Sequence, residues 1–341
     1  MPDGRRAMWV SIALVVLVGS ATVSLCSGPA ASAAKEPSHV PNIIIDTDLS
    51  RWWDDATAVG MANVLEQRGK VHVLGIMSDI PNPVAVAAID AIDTFYKHSD
   101  IPVGALPDSS ANTAPHGYSD KLADSLPHKI RSSGDVPDAA ALYRRILARQ
   151  PDHSVTIVAI GSYANLASLL KSTPGEGSKL DGRKLISAKV KKTVIEDGIF
   201  PNTGASALTN QALDLPAASE VLNGDWPTPM AWVDGTTGVA TKVGGTLCRS
   251  VAAKNPMRIV YEAEFGCGPP GDGDWDGPTL LYALQGPGDQ FTELGQGGSA
   301  YINSKGGLSW RPDAARPHDV YVHVADQASL NHEIDSLLEA T

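Results

Sequence analysis

The chain has 341 residues, a formal net charge of −11 and a 43% hydrophobic composition, enough apolar material for one large α/β domain or two small ones. The acidic balance argues against a nucleic-acid backbone or an anionic membrane surface as the main partner, because both need clustered Lys and Arg. The acids read instead as solubility plus a cation site.

Arg5 and Arg6, the apolar run 8–25 and the small residues Ala31, Ser32 and Ala33 follow the basic, apolar, small-residue order of a secretory signal. Cleavage after Ala33 leaves 341 − 33 = 308 residues: a leader linker over 34–41 and one domain over 42–341. The apolar run is nearly long enough to span a bilayer, so an uncleaved anchor is the alternative. Either route places the domain outside the cytoplasm, secreted or at the cell surface. Loss of the signal removes Cys26 and leaves Cys248 and Cys267 in a compartment that oxidises thiols, so a disulfide between them is predicted, with two separate buried thiols as the rival reading.

From residue 42, β-rich runs alternate with amphipathic ones. Strands are expected over 42–46, 71–77 and 101–105, with helices over 54–67 and 84–97 between them. Strand, helix, strand in alternation implies a mainly parallel sheet flanked by helices. A polar loop over 107–125 interrupts the pattern, which resumes with a helix over 139–149, a strand over 154–160 and a helix over 163–171. A strand over 193–196, a helix over 215–222 and a strand over 230–233 follow. The stretch 248–273 is rich in Gly and Pro and leads into a helix over 278–285. The tail 291–324 reads as an antiparallel hairpin region with a turn at 304–307, before a last helix over 326–338.

The chemistry concentrates at the end of the first strand. Asp46, Asp48, Asp54 and Asp55 fall where an open parallel sheet binds ligands, beyond the carboxyl ends of its strands. Helix capping accounts for Asp54 and Asp55 taken alone. Four acids this close must protonate, separate or find a cation, and a hard divalent ion with oxygen ligands meets that need. A distant pair, Asp274 and Asp276 around Trp275, precedes another helix.

The order strand-DTD, then Asp54-Asp55-Ala56, then Trp275-Asp276 before an apolar helix resembles the calcium-dependent, inosine-uridine-preferring nucleoside hydrolases. Further matches keep the family's order: Asp100 to Gly104, His116-Gly117 at the start of its mobile loop, Gly161 to Leu166 at its GPLTNL turn, and Asn202, Asn210 and Asp214 to Ala218. The resemblance implies a nucleoside-hydrolase-like, Rossmann-related fold and an N-ribohydrolase acting on ribonucleosides or a related N-riboside, with a scavenging role in purine and pyrimidine salvage. It implies calcium held by Asp48, Asp55, the Ala164 carbonyl and Asp276, with Asp48 also the general base for the attacking water. Asp54, Asn202, Asn210, His116 and either Asp79 or Asn82 are implied as substrate-binding residues, and a dimer or tetramer as the assembly.

Departures from the family pattern concern the pocket. Ser50 stands where the family has glycine, followed by Arg51, which could compete with the metal for a carboxylate. Leu208 replaces a sugar-binding glutamate, Glu196-Asp197-Gly198 replaces Met-Gly-Gly, and Trp275 replaces a histidine that some members use on the leaving base. Trp52, Trp53 and Trp275 either stack on a base or pack the sheet end. Two other functions compete: a weakened relative that binds calcium and a sugar without turnover, and a haloacid-dehalogenase-like phosphatase with Asp46 as nucleophile, magnesium as the ion, and Lys189 and Glu196-Asp197 as the later partners.

Overall fold

The structure is a computed structural model that describes residues 40–340 apart from 108–116, 176, 203, 205, 207, 225 and 267. The leader 1–33, His116 and Cys267 therefore lie outside the described residues. Cys248 is disulfide-bonded.

In chain order the first half contains β1 (Asn42–Thr47), α1 (Asp54–Gln67), β2 (His72–Ser78), α2 (Ala85–Phe95), β3 (Val103–Ala105), α3 (Gly117–Ser125), α4 (Ala139–Arg149), β4 (Val155–Ala159), α5 (Ala164–Lys171), α6 (Gly182–Lys189) and β5 (Val190–Glu196). The second half contains α7 (Thr209–Leu213), α8 (Leu215–Asn223), β6 (Met230–Val233), α9 (Thr236–Ala240), α10 (Leu247–Ser250), α11 (Pro256–Phe265), α12 (Asp276–Gln285), β7 (Phe291–Leu294), β8 (Gly298–Ile302), β9 (Leu308–Pro312), β10 (Val320–Val324) and α13 (Gln327–Leu338).

Eight strands form one sheet in the order β3-β2-β1-β4-β5-β6-β10-β7, parallel except for β7 at the edge. Ile43, Ile44 and Ile45 are fully buried because helices cover both faces of β1. Ile43 and Ile45 join the core under α1, α2 and α12; Ile44 joins the one under α4, α5 and α8. The chain passes from β1 out to β2 on one side and later returns to pair β4 on the other. This reversal leaves a crevice at the carboxyl ends of β1 and β4.

Two expectations are corrected. The predicted loop 107–125 contains α3, which is anchored where Tyr118 accepts a hydrogen bond from the Ser50 backbone N–H (2.8 Å) and donates one to the Trp52 carbonyl. The predicted hairpin region is only partly one. β8 and β9 pair as a separate antiparallel ribbon whose turn is closed by the Asn303 side chain, whereas β10 joins the main sheet parallel to β6 and β7 pairs with β10.

Candidate active site

α1 begins at Asp54 immediately past the β1 loop, and α12 begins at Asp276. Nearly every residue of α1 from Asp54 to Leu65 is buried, since it lies between the sheet and α11, α12 and α13. Its packing against α12 sets the two helix starts side by side. The Trp275 backbone N–H donates to Asp54 Oδ2 (3.2 Å), and one carboxylate oxygen each from Asp54, Asp55 and Asp276 lies within 4.8 Å of the others.

Asp48 completes this group from the β1 side. Neither of its buried oxygens, nor Asp55 Oδ2, meets a hydrogen-bond donor, while the Thr47 hydroxyl donates to Asp55 Oδ1. Burial pushes Asp48 up to about 7 and Asp54 up to about 6, and raises Asp55 and Asp276 well above the usual carboxylate range, the neighbouring acid charges adding to the rise for the latter two. Two adjoining carboxylates satisfy each other only by sharing a proton or a cation. Unpaired, convergent oxygens of this kind fit a hard divalent metal.

These four acids open into a cavity of about 750 Å³, counting its mouth, which Glu196, Asn210, Leu208, Trp52, Trp53 and Trp275 also line. Asn210 donates to Glu196 Oε2 at 2.9 Å. Trp53 and Trp275 point their indole N–H groups into backbone carbonyls, of Gly273 (2.8 Å) and Gly235 (2.7 Å). Arg51 lays its guanidinium over Trp52, 5.5 Å from the ring centre, and among the described residues no ion pair joins it to a carboxylate.

Other predicted site residues sit around the cavity without lining it. Ala164 opens α5 and is buried. Asp79 is buried behind Asp48; a Cβ at Gly161 would come within 2.5 Å of both the Asp79 carboxylate and the Asp48 backbone nitrogen, so only glycine leaves room there. Asn82 donates to Ser50 Oγ at 2.7 Å and so braces the loop that aims Asp48. Asn202 is exposed, its side chain accepting the Gly204 N–H in a turn. Asp274, in contrast to Asp276, caps its own helix through the Gly277 N–H (2.9 Å). Asp46 is fully buried and tied to Tyr143 (2.6 Å) and Asn165 (3.2 Å).

Residues 43–265 match the family described as inosine-uridine preferring nucleoside hydrolases. The chain belongs to this family. It is accordingly an enzyme of the nucleoside N-ribohydrolase class, whose substrates are small-molecule nucleosides. Solved structures share the fold: an inosine-guanosine nucleoside hydrolase (18% identity, 88% of this chain and 99% of that one, TM-score 0.67) and a plant nucleoside hydrolase (17%, 89% and 100%, TM-score 0.61). A purine-preferring ribonucleoside hydrolase from Gardnerella vaginalis aligns at 16% identity over 87% and 98% of the two chains, with a TM-score of 0.63. No curated protein sequence matches the chain. No helix of the described residues is long and apolar enough to cross a membrane.

Glu196 and Asp197, which the sequence placed as departures from the family pattern and as phosphatase partners, line the cavity as well. Their signal in the sequence is their place at the carboxyl end of a parallel strand, β5.

Proposed function

We propose that the protein hydrolyses the N-glycosidic bond of ribonucleosides or a related N-riboside, with calcium as its metal. The observation that carries this reading is the set of donor-free Asp48 and Asp55 oxygens facing Asp54 and Asp276 at the crevice between β1 and β4. Asp48, Asp55, Asp276 and the Ala164 carbonyl would hold the ion, which supplies Lewis acidity that makes water a better nucleophile near neutral pH.

Asp48, whose two oxygens meet no protein donor, receives the proton from the attacking water. Asp54, fixed by the Trp275 N–H, accepts a ribose hydroxyl. Asn210 adds a second polar contact to the sugar side of the cavity. Attack at C1′ builds positive charge on the sugar as the base departs, and the surrounding carboxylates stabilise that charge. The phosphatase alternative has little support here. Asp46 is fully buried and tied to Tyr143 and Asn165, and Lys189, just before β5, lies at the opposite end of that strand, paired with Asp152 (2.7 Å).

The leader supports export, and the disulfide at Cys248 suits an oxidising compartment; N-terminal sequencing of exported protein that starts elsewhere than Ala34 would remove the cleavage at Ala33. Resemblance to the family supports a homodimer or tetramer, which light scattering measures. The activity test is release of reducing sugar from inosine, guanosine, uridine and cytidine, with calcium and then with chelator, beside Asp48→Asn. Calcium-dependent release lost in Asp48→Asn is expected. No release from folded, calcium-loaded protein would leave a binding relative or an N-glycoside outside this panel.

A further inference from the structure

We propose that Tyr118 is a positioning residue for the hydrolysis: its hydroxyl fixes the backbone of the loop between β1 and α1 and, through that loop, the aim of Asp48. The proposal rests on the metal-dependent hydrolase reading above and adds a residue outside the cavity on which the site depends.

Asp48 has little of its own to hold it. β1 ends at Thr47, so Asp48 is the first residue beyond the strand, and neither of its carboxylate oxygens meets a donor. The backbone therefore sets the direction of that carboxylate. On the strand side this backbone is fixed: the Asp79 N–H donates to the Thr47 carbonyl at 3.0 Å, and Gly161 lies against the Asp48 nitrogen with no room for a Cβ. On the other side the chain turns through Leu49, Ser50, Arg51, Trp52 and Trp53 before α1 begins at Asp54.

That turn is not one the sequence favours. Ser50 is held at φ +96°, where an L side chain meets its own backbone, so an unrestrained loop would leave this conformation. Two bonds close the loop from within, from the Arg51 N–H to the Asp48 carbonyl (3.0 Å) and from the Leu49 N–H to the Thr47 hydroxyl (3.1 Å). Asn82 holds the Ser50 side chain from outside. Tyr118 holds the backbone itself. Its single oxygen accepts the Ser50 N–H at 2.8 Å and donates to the Trp52 carbonyl, which fixes the two peptide groups on either side of Arg51 relative to each other.

The oxygen that does this cannot swing away. Tyr118 is 2% exposed, and its ring shares the core with Leu122 and Leu126 while α3 packs on α2 and α11. Tyr118 does not line the cavity, so it acts on a bound ligand only through the loop.

The test compares Tyr118→Phe, which keeps the ring and removes only the hydroxyl, with Leu126→Ala, which opens a hole beyond the far end of α3 and keeps the hydroxyl. Four quantities are read on the full-length protein: calcium affinity by titration calorimetry, kcat on inosine and uridine in saturating calcium, melting temperature in chelator, and amide exchange at Ser50. Folded Tyr118→Phe is expected to lose about tenfold or more in both calcium affinity and kcat, with Ser50 amide exchange faster by about tenfold or more. Leu126→Ala is expected to lose at least as much melting temperature, with calcium affinity and kcat within about twofold of wild type. Wild-type calcium affinity and Ser50 exchange in Tyr118→Phe overturn the proposal and leave the hydrolase reading standing. Equal losses of calcium affinity in the two variants also overturn it, since they would report the packing of α3 and not the hydroxyl. A Tyr118→Phe protein that does not fold overturns it by making the hydroxyl part of the core. Wild-type protein that binds no calcium removes the metal reading and this proposal together.

Discussion

Replacing Asp197 by asparagine should make the protein more stable at alkaline pH and leave it nearly unchanged in acid. Asp197 follows β5, is 3% exposed, and accepts hydrogen bonds from the Tyr163 hydroxyl at Oδ2 (2.6 Å) and from the Gly198 N–H at Oδ1 (2.8 Å). Despite both donors, burial pushes its carboxyl from 3.8 up to about 7. The folded state therefore holds a proton that the unfolded chain releases near pH 4, so stability is greatest below that point and falls as pH rises towards 7. A rise of roughly three units, at about 1.4 kcal/mol each, sets an upper bound of roughly 4 kcal/mol on that loss. Asparagine keeps the Gly198 bond and reverses only the Tyr163 hydroxyl, which must then accept. Thermal unfolding of both proteins in chelator, near pH 3.5 and near pH 8, reads the difference at roughly 2 °C per kcal/mol for a domain of this size. The two melting temperatures should nearly coincide at the lower pH and separate by several degrees at the higher. A separation of equal size at both pH values would show that Asp197 does not carry a buried proton.

Other outcomes follow from the same geometry. Calcium should raise the melting temperature, by about 2.7 kcal/mol of stability at a hundredfold excess over its dissociation constant. The gain should grow from pH 5 to pH 8, because the carboxyls of Asp48 (about 7) and Asp54 (about 6) must first lose protons; it should vanish in Asp55→Ala, and its survival there would remove Asp55 as a ligand. Ser50 holds φ at +96°, so Ser50→Gly relieves about 1–2 kcal/mol of strain while losing the Asn82 bond, worth about 1 kcal/mol. Near-neutral stability is expected for that variant and a net loss of about 1 kcal/mol for Ser50→Ala; equal chemical-denaturation midpoints for the two would contradict the strain. Gly238→Ala should push the Trp275 ring and, through the Trp275–Asp54 bond, cut kcat by about a hundredfold in a folded protein. Wild-type kcat in that variant would separate Trp275 from the alignment of Asp54.

How far the sequence led depended on whether a feature was local. The Ile43-Ile44-Ile45 run marked a strand covered on both faces, and the acids after it marked a strand-end site, because both signals sit within one turn of chain. The helices α3 and α11 were less visible. α11 lies inside a Gly- and Pro-rich stretch, although its boundaries carry ordinary signals: Asn255 caps the Met257 and Arg258 N–H groups, and Gly266 ends the helix at φ +69°. α3 is held by packing on α2 and α11 and by Tyr118 reaching a loop 68 positions earlier, contacts that no local pattern encodes. β10 shows the same limit. Its alternating residues fit a hairpin, and only pairing with β6, distant in sequence, places it in the main sheet.

Within the site, the sorting of the acids was the least legible part, because it depends on three-dimensional surroundings that identical residues do not share. Asp274 and Asp276 stand two positions apart and read alike, yet the first spends an oxygen on the Gly277 N–H while the second turns to Asp54 and Asp55. Asp46 and Asp48 differ in the same way: Tyr143 and Asn165 satisfy Asp46, and no donor reaches Asp48. Donors alone do not sort them: Asp54 accepts the Trp275 N–H and still lines the cavity, and Asp79 meets no donor yet lies outside it. A carboxylate that opens into the cavity, with or without a donor, is the one placed to meet a ligand. That opening also sets Glu196 apart, since it faces the cavity with one amide donor and no basic partner among the described residues.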